Sequence, residues 1–243
     1  QLGLQLQACA EIEPYCCDIL AKRYPKAYNL GDINECQWDS IKSDLGDIDL
    51  ISASPPCQPF SIQGKRQGAK DKRDCIPAVQ RAIALIRPKY FCIENVTGLL
   101  SCPHVPGADR PYFQFLLEKL SQLGYDAEWL TVSSGHFAAP FCRERLLLVG
   151  ISQRLKPFRK RAASWTLQAG KSVKEARTAQ ERRGIKPGYP LEVVRNPRNL
   201  ARPLGVKSGN GIIRKQRSAA GNLLDHRVAG VALRRVLYLE SLQ

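Results

Sequence analysis

Methionine is absent from the 243-residue sequence, and none of its nine cysteines lies in a Cys-x-x-Cys pair. That pair is typical of zinc sites and disulfide redox centres, so its absence supports neither class. A chain of this length needs no disulfide staples, and we expect free thiols, no metal site and a reducing, cytoplasmic setting. There is no signal peptide and no apolar run of the roughly 20 residues that a membrane-spanning helix needs. We therefore expect neither a disulfide-rich secreted domain nor a membrane-spanning protein.

Acidic residues are scarce in the last two fifths of the chain. Residues 1–150 carry 16 lysines and arginines against 17 acidic residues, whereas residues 151–243 carry 21 against 5. The net charge of +15 therefore lies in the second segment. Segregated positive charge is expected where a protein meets a polyanion, and it predicts a salt-sensitive nucleic-acid partner. For a stretch such as 156–185, a basic disordered linker explains the charge equally well.

The most informative segment is Ser-Pro-Pro-Cys-Gln-Pro-Phe-Ser at 54–61. It follows the apolar run 48–53, which predicts a short buried strand. Proline fixes its own φ and restricts the residue before it, so we expect Cys57 on a stiff loop at the carboxyl end of this strand. Ligands bind at that edge in open α/β sheets, and a thiol held there is placed to act as a nucleophile. A buried structural cysteine in a proline turn is the alternative, and it is favoured for a Pro-Cys pair taken alone.

The eight-residue string closely resembles the nucleophile motif of the DNA cytosine-5 methyltransferases. Further segments resemble other motifs of that family in the expected order: 10–15 and 31–33 (cofactor-contacting segments), 94–96 (Glu-Asn-Val), 143–150 (Arg-x-Arg before an apolar run) and 220–224 (a worn copy of the closing Gly-Asn motif). The resemblance covers residues 1–150 almost continuously and residues 205–241 loosely. A lone Glu-Asn-Val would be a weak signal, but several motifs in one order are a strong one.

The resemblance implies chemical roles for four side chains. Cys57 would add to carbon 6 of cytosine, so that carbon 5 can attack an electrophilic methyl group; a thiolate suits this step because it adds and leaves readily. Glu94 would be the acid at ring nitrogen 3. Arg145 would hold the 2-oxo group, while Arg143 would orient the nucleophile loop and favour the thiolate. Without the other motifs, Glu94 would be interpreted as a surface carboxylate, and Arg143 and Arg145 as partners of nearby acidic residues. Phe141 replaces the family's glutamine, which puts the local hydrogen bonding in doubt.

S-adenosylmethionine is the methyl donor that the resemblance implies. A carboxylate ending the second strand of such a sheet commonly binds ribose hydroxyls, and Glu11 has that place, although spacing does not separate it from Glu13. Asp32 would bind the adenine amino group. The other predicted cofactor residues are the apolar flanks Ile12, Ile33 and Ile76, together with Pro56 and, at the methionine end, Asn222.

Double-stranded DNA is the implied partner. Stacking covers both faces of a cytosine in a duplex, so the base has to be flipped into the pocket. The polar, basic segment after Cys57 is expected to be a mobile loop that closes over DNA, with a solvated charged loop as the alternative. The predicted DNA-contacting residues are Gln58, Ser61, Gln63, Lys65, Arg66 and Arg73, with Lys70 and Lys72 as further phosphate contacts. A cognate restriction endonuclease is an expected partner at the system level, and we expect a monomer.

The alternation of apolar segments predicts an α/β fold: a Rossmann-like S-adenosylmethionine-dependent methyltransferase sheet with helices on both faces, plus a small basic C-terminal lobe. Strands are predicted at 4–10, 27–30, 49–54, 89–94, 125–132 and 145–151, and helices at 14–23, 76–86, 111–123 and 228–241. The last two strands would form a hairpin-like edge around His136, which we expect to be structural. The predicted domains are a catalytic and cofactor-binding domain at 1–152, a largely looped target-recognition region at 153–212, and a segment at 213–243 that returns to the catalytic domain.

The family's first strand and its glycine-rich turn, Phe-x-Gly-x-Gly, have no counterpart in this sequence. Asp225-His226-Arg227 also stands in place of the usual Val-Pro-Gln. With the missing methionine, these departures predict a fragment of a longer reading frame or a degraded copy, lacking the first strand and binding cofactor weakly. Two alternatives to an active DNA enzyme stay open: an inactive DNA-binding relic and an RNA cytosine-5 methyltransferase. The Cys-Phe-Thr segment of the tRNA-acting branch is absent, which disfavours RNA.

Overall fold

The computed structural model describes residues 3–137, 143–155, 162–182 and 226–243. Its strands are β1 (Ala8–Cys9), β2 (Tyr28–Asn29), β3 (Leu50–Ala53), β4 (Tyr90–Asn95), β5 (Tyr125–Ser133) and β6 (Glu144–Ser152). β1 and β2 pair in parallel as a separate two-stranded sheet, and the other four form a sheet in the order β3-β4-β6-β5. All six predicted strands are present, although the first two are much shorter than predicted.

The four-stranded sheet brings several strand ends to one edge. β3 and β4 are parallel, whereas β6 runs antiparallel between β4 and β5. β3, β4 and β5 therefore end at the edge where β6 begins. The β5–β6 pair confirms the predicted hairpin-like edge, and the turn 134–137 between these strands contains His136. This edge carries the segments with the predicted catalytic residues.

Helices cover both faces of this sheet, as predicted. The helices are α1 (Pro14–Arg23), α2 (Trp38–Leu45), α3 (Ile76–Ile86), α4 (Tyr112–Gln122), α5 (Trp165–Arg182) and α6 (His226–Glu240). α3 and α4 pack on one face, against side chains of β4 and β6 such as Phe91 and Leu148. α5 and α6 pack on the other face, against the alternate side chains, such as Cys92 and Val149. Because β4 and β6 are buried on both faces, their sequences are nearly continuous apolar runs.

The interval 153–212, much of which is predicted to be loop, contains an 18-residue helix, α5, that was not predicted. Trp165 and Ala169 are buried in the core that α6 shares with the sheet, and Val173 and Ala176 pack against it. These positions form one stripe of the helix, and the surrounding basic residues obscured it. Helix α6, in the segment predicted to return to the catalytic domain, packs on the sheet. The domain boundary at 152 stays a prediction, and α2 was not predicted.

The thiols are less uniformly buried than expected. Cys92 lies in the core, as predicted, but Cys9, Cys16 and Cys17 are only half-buried, so their assignment to the core is wrong. Cys9 belongs to the short β1, which has few neighbours to cover it. Across the described ranges, no group of three or more His, Cys, Asp or Glu side chains is arranged to hold a metal ion. The helices in these ranges also lack the combination of length and apolarity needed to cross a membrane.

Candidate active site

Cys57 lies on a tightly held turn directly after β3. Its carbonyl oxygen accepts hydrogen bonds from the backbone N–H groups of Phe60 (3.0 Å) and Ser61 (2.9 Å). The buried amide of Asn95, at the end of β4, donates to the carbonyl of Pro55 over 3.2 Å. Phe60 is completely buried, whereas Cys57 itself is half-buried. The turn is therefore anchored on both sides of a thiol that solvent can reach, and this geometry argues against a buried structural cysteine.

Glu94 lies in β4, and both of its carboxyl oxygens have partners. Oε1 accepts from Nε of Arg145 over 2.7 Å, and Oε2 bonds to the hydroxyl of Ser54. The side chains of Arg145 and Glu94 are only 11% and 15% exposed, so the ion pair is shielded from water. Arg145 also donates from Nη1 to the carbonyl of Glu144 over 2.7 Å. The acid that pairs with Arg145 is thus the predicted catalytic acid.

Arg143 lies close enough to the other three predicted catalytic residues to interact with their charges. Burial lowers the pKa of Arg143, repulsion from Arg145 lowers it further, and the charges of Glu94 and Cys57 oppose that shift. The backbone N–H of Arg143 donates to Oγ of Ser134 over 3.0 Å, which fixes the start of β6 against the end of β5. The structure therefore brings Cys57, Glu94, Arg143 and Arg145 together at one edge of the sheet.

Arg73, predicted to contact DNA, is held by a neighbouring carboxylate. Its Nε and Nη2 donate to Asp71 over 2.9 and 2.7 Å. These hydrogen bonds lower the pKa of Asp71 to about 2 and raise that of Arg73, and the charge of Cys57 adds slightly to the rise for Arg73. A second fixed cation therefore lies within electrostatic range of the thiol.

The segment after Cys57 is anchored at both ends and exposed in the middle. At the beginning of this segment, Gly98 lies so close to Phe60 that a Cβ on Gly98 would lie 2.3 Å from the carbonyl oxygen of Phe60. At the far end Gly68 has φ +54°, and a Cβ would lie 2.5 Å from the carbonyl oxygen of His104. Both positions require glycine. The residues between these anchors are largely exposed.

The predicted DNA-contacting residues of this segment fall into two groups. Gln58, Gln63 and Lys65 are exposed, as a DNA contact requires. Ser61 is half-buried, and its Oγ accepts from the N–H of Gln63 over 3.3 Å. Arg66 is half-buried and donates to Oγ of Ser101 (2.9 Å) and the carbonyl of Gly98 (3.4 Å). Its guanidinium therefore helps to anchor the segment.

The two candidate ribose ligands each accept backbone hydrogen bonds through one carboxylate oxygen. Glu13 is the N-cap of α1, with Oε2 accepting from the N–H of Cys16 over 3.0 Å. Glu11 accepts from the N–H groups of Ile12 (2.9 Å) and Glu13 (2.8 Å) through Oε1 alone. Those bonds orient the carboxylate of Glu11 and leave its Oε2 available. Glu13 likewise uses one oxygen and leaves its Oε1 available, so the choice of Glu11 stays a prediction.

Asp32 is oriented in the same way as Glu11. Its Oδ1 accepts from the backbone N–H and the side-chain amide of Asn34 over 2.8 and 2.9 Å. The side chain of Ile12 is 68% exposed, which is unusual for an isoleucine and suits an apolar flank. Pro56 is exposed and Ile33 is half-buried. Two oriented carboxylates and an exposed apolar side chain fit the ribose, the amino group and the ring of a nucleoside.

One predicted cofactor contact does not fit. Ile76 is 1% exposed and lies in the core beneath α3, so its side chain has no surface for a ligand, and the prediction is wrong for this residue. It is the first residue of an amphipathic helix, whose apolar face turns inward. Asn222 and Phe141 lie outside the described residues.

His136 has a structural environment. Its Nδ1 accepts from the N–H of Ser133 over 3.3 Å, and its carbonyl accepts from Nε of Arg177 over 2.8 Å, which joins α5 to the turn after β5. The site also contains residues to which we assigned no role from the sequence, namely Ser54, Asn95 and Asp71. The first two belong to the quoted motifs, but nothing in the motifs indicates their partners.

Comparison with known proteins agrees with this geometry. The sequence profile of the family described as C-5 cytosine-specific DNA methylase matches residues 1–196. Type II methyltransferase M.NgoBV of Neisseria gonorrhoeae is 33% identical over 151 residues, covering 61% of this chain and 34% of the relative. Type II methyltransferase M.NaeI of Lentzea aerocolonigenes is 35% identical over 128 residues, covering 53% of this chain and 30% of the relative. The chain spans about a third of the length of these relatives.

The fold also resembles that of solved structures. A crystal structure of a mutant of Spodoptera frugiperda DNMT2 superposes with a TM-score of 0.51 and 22% identity, covering 67% of this chain and 48% of the other. At this identity the likeness concerns the fold alone, and it confirms the Rossmann-like α/β architecture. The profile match extends over four fifths of the sequence and includes the segments of Cys57, Glu94, Arg143 and Arg145. The chain therefore belongs to the C-5 cytosine-specific DNA methylase family.

Proposed function

We propose that this chain transfers a methyl group from S-adenosylmethionine to carbon 5 of a flipped cytosine in DNA, through a covalent adduct with Cys57. The observation that carries the proposal is the meeting of a half-exposed thiol, a shielded carboxyl group and two arginines at the sheet edge where the strands end. This combination can add a nucleophile to a ring and neutralise the charge that the addition creates.

The reaction assigns one task to each group. The thiolate of Cys57 adds to carbon 6, and Glu94 supplies a proton toward ring nitrogen 3 as charge develops there. Arg145 lies beside Glu94, where its guanidinium can hold the 2-oxo group. Once carbon 5 carries the methyl group, loss of its proton to a base re-forms the ring double bond and expels the thiolate.

The cofactor would be held at the edge of the two-stranded sheet. Glu11 would bind ribose hydroxyls through Oε2, Asp32 would bind the adenine amino group through Oδ2, and Ile12 would flank the ring. These carboxylates are already oriented by backbone N–H groups, which lowers the cost of ordering them on binding. S-adenosylmethionine supplies an electrophilic methyl group on a sulfonium.

DNA would lie across the exposed segment after Cys57. Gln58, Gln63 and Lys65 are available for contacts there, and the excess positive charge in residues 151–243 favours a polyanion. Since curated relatives are named Type II methyltransferases, we extend to this chain a cognate restriction endonuclease as system-level partner. A monomer and a cytoplasmic setting complete the proposal.

A fluorocytosine trap tests the proposal. A DNA duplex with 5-fluorocytosine at the target should form a covalent complex that survives denaturing electrophoresis, because the fluorine cannot leave as a proton does. The protein is expressed from its own complete gene and incubated with S-adenosylmethionine and duplexes that cover many sequence contexts. Cys57→Ser should give no complex, whereas the control Cys75→Ser should react normally, since Cys75 caps α3 and serine is a good N-cap.

The outcomes separate the alternatives. A complex with fluorocytosine RNA and none with DNA would identify an RNA methyltransferase. DNA binding with no complex, and no rise in melting temperature on addition of S-adenosylmethionine, would identify an inactive relic. Either result would contradict the proposal.

A further inference from the structure

Ser54 places a hydroxyl group against the predicted catalytic acid. It directly follows β3, three residues before Cys57, and its Oγ bonds to Oε2 of Glu94. The contact follows from the parallel register of β3 and β4, in which Ala53 pairs with Ile93, so that the next residues along the two chains lie side by side. One stiff segment thus carries both the nucleophile and a partner of the acid.

The two partners of Glu94 differ in what they do when the carboxyl group takes up a proton. A guanidinium only donates hydrogen bonds, so Arg145 is a partner for an oxygen that carries no proton. A hydroxyl donates to a carboxylate and accepts from a carboxylic acid. Because Arg145 occupies Oε1, a proton on Glu94 belongs on Oε2, where Ser54 lies. Ser54 is the partner that can keep its hydrogen bond in both protonation states.

We propose that Ser54 is a positioning residue for Glu94 that holds Oε2 in place while the acid gives up and recovers its proton. This role rests on the proposed function, whereas the contact between the two side chains does not. Without the hydroxyl, Oε2 of the protonated acid would lose its acceptor, and the carboxyl group could rotate about its terminal torsion, which is a soft one.

Steady-state methylation of DNA tests this role. Ser54→Ala should lower kcat by about ten- to a hundredfold, the range expected for loss of a hydrogen bond to an ionisable group, with KM for DNA nearly unchanged. Ser54→Thr keeps the hydroxyl and should recover most of kcat. Ser52→Ala is the matched control, since Ser52 is an exposed residue of the same strand. A wild-type kcat in Ser54→Ala, or a loss that threonine does not recover, would overturn the proposal.

Thermal unfolding without substrate separates this inference from the proposed function. Ser54→Ala and Glu94→Ala should each shift the melting temperature, and the double variant should shift it by less than the sum, because each change removes the same contact. Additive shifts would overturn the role of Ser54 whatever the reaction. A protein that transfers no methyl group to DNA and yet shows this coupling would contradict the proposed function alone.

Discussion

Replacing Glu128 with alanine should destabilise the protein strongly, because it would leave a buried guanidinium without its partner. Arg235 of α6 donates from Nε and Nη2 to the two carboxylate oxygens of Glu128 in β5, over 2.5 and 3.0 Å. The side chain of Arg235 is 4% exposed and that of Glu128 is 30% exposed. Nη1 of Arg235 also donates to the carbonyl of Ala163 (2.8 Å) and to Oε1 of Gln168 (3.2 Å). One guanidinium therefore joins α6, the start of α5 and the sheet.

The magnitude follows from this partial burial. Breaking a fully buried ion pair by removing one partner costs about 3–5 kcal/mol, and we take about 3 kcal/mol because water reaches Glu128 and two acceptors of Arg235 remain. For a chain of this size that corresponds to a fall in melting temperature of about 6–12 °C. The double variant Glu128→Gln/Arg235→Met should lose less than Glu128→Ala, since it leaves no unpaired buried charge.

Thermal and urea unfolding followed by circular dichroism provide the measurement, with Lys89→Ala as the matched control. Lys89 pairs with Asp49 (2.9 Å) and with Glu240 of α6 (3.5 Å), but these side chains are all well exposed. Its loss should cost less than about 1 kcal/mol. If Glu128→Ala melted within about 2 °C of the wild type, or no lower than the control, the argument from burial would be refuted.

Three further predictions concern packing, pH and thiol reactivity. Gly150→Ala should lower the melting temperature sharply and cost about 3 kcal/mol of stability, since a Cβ there would lie 2.0 Å from the ring of the buried Phe91. Insoluble protein would support this prediction, and a wild-type melting temperature would contradict it. Because Arg73 lowers the pKa of Asp71 to about 2, this carboxylate stabilises the fold above about pH 4, and its contribution is lost as pH falls toward 2. The free energy of unfolding of Asp71→Asn should therefore fall less steeply with decreasing pH than that of the wild type. Parallel curves would contradict the assignment. Burial raises the pKa of Cys92 to about 12, so iodoacetamide at pH 8 should leave it unmodified in the folded protein, as peptide mass spectrometry can check, and label it only after unfolding.

The placement of the proposed catalytic residues could be predicted because it depends on local sequence. Cys57 and Glu94 lie at or just after the ends of short apolar runs, and such runs become strands whose carboxyl ends share an edge. The same logic placed Arg143 and Arg145 at the start of the next strand. It failed for Ile76, since periodicity shows that a helix has an apolar face but does not show whether a ligand or the core covers it.

The basic segment that contains α5 was harder to interpret, because its charge indicates a loop whereas the spacing of its apolar residues indicates a helix. Trp165, Ala169, Val173 and Ala176 form a helical stripe, yet two of the four are alanines, which carry little hydrophobic signal. The basic runs, together with several prolines and glycines in the interval 153–212, suggested a loop or a linker. Helix α5 forms because its small side chains allow close packing against α6 and the sheet, and that packing partner is far away in the sequence.

The partners of the proposed catalytic residues depend on strand register, which local sequence does not specify. With Ala53 opposite Ile93, Ser54 lies beside Glu94, and the amide of Asn95 reaches the carbonyl of Pro55. A slip of one residue would reverse the faces of β3 and separate both pairs. The register is set by burial of the alternate side chains of β4 on two helical layers, and those layers come from segments as distant as α6. Motif residues thus suggest the proposed chemistry, while the hydrogen bonds that position them arise only from the assembled sheet.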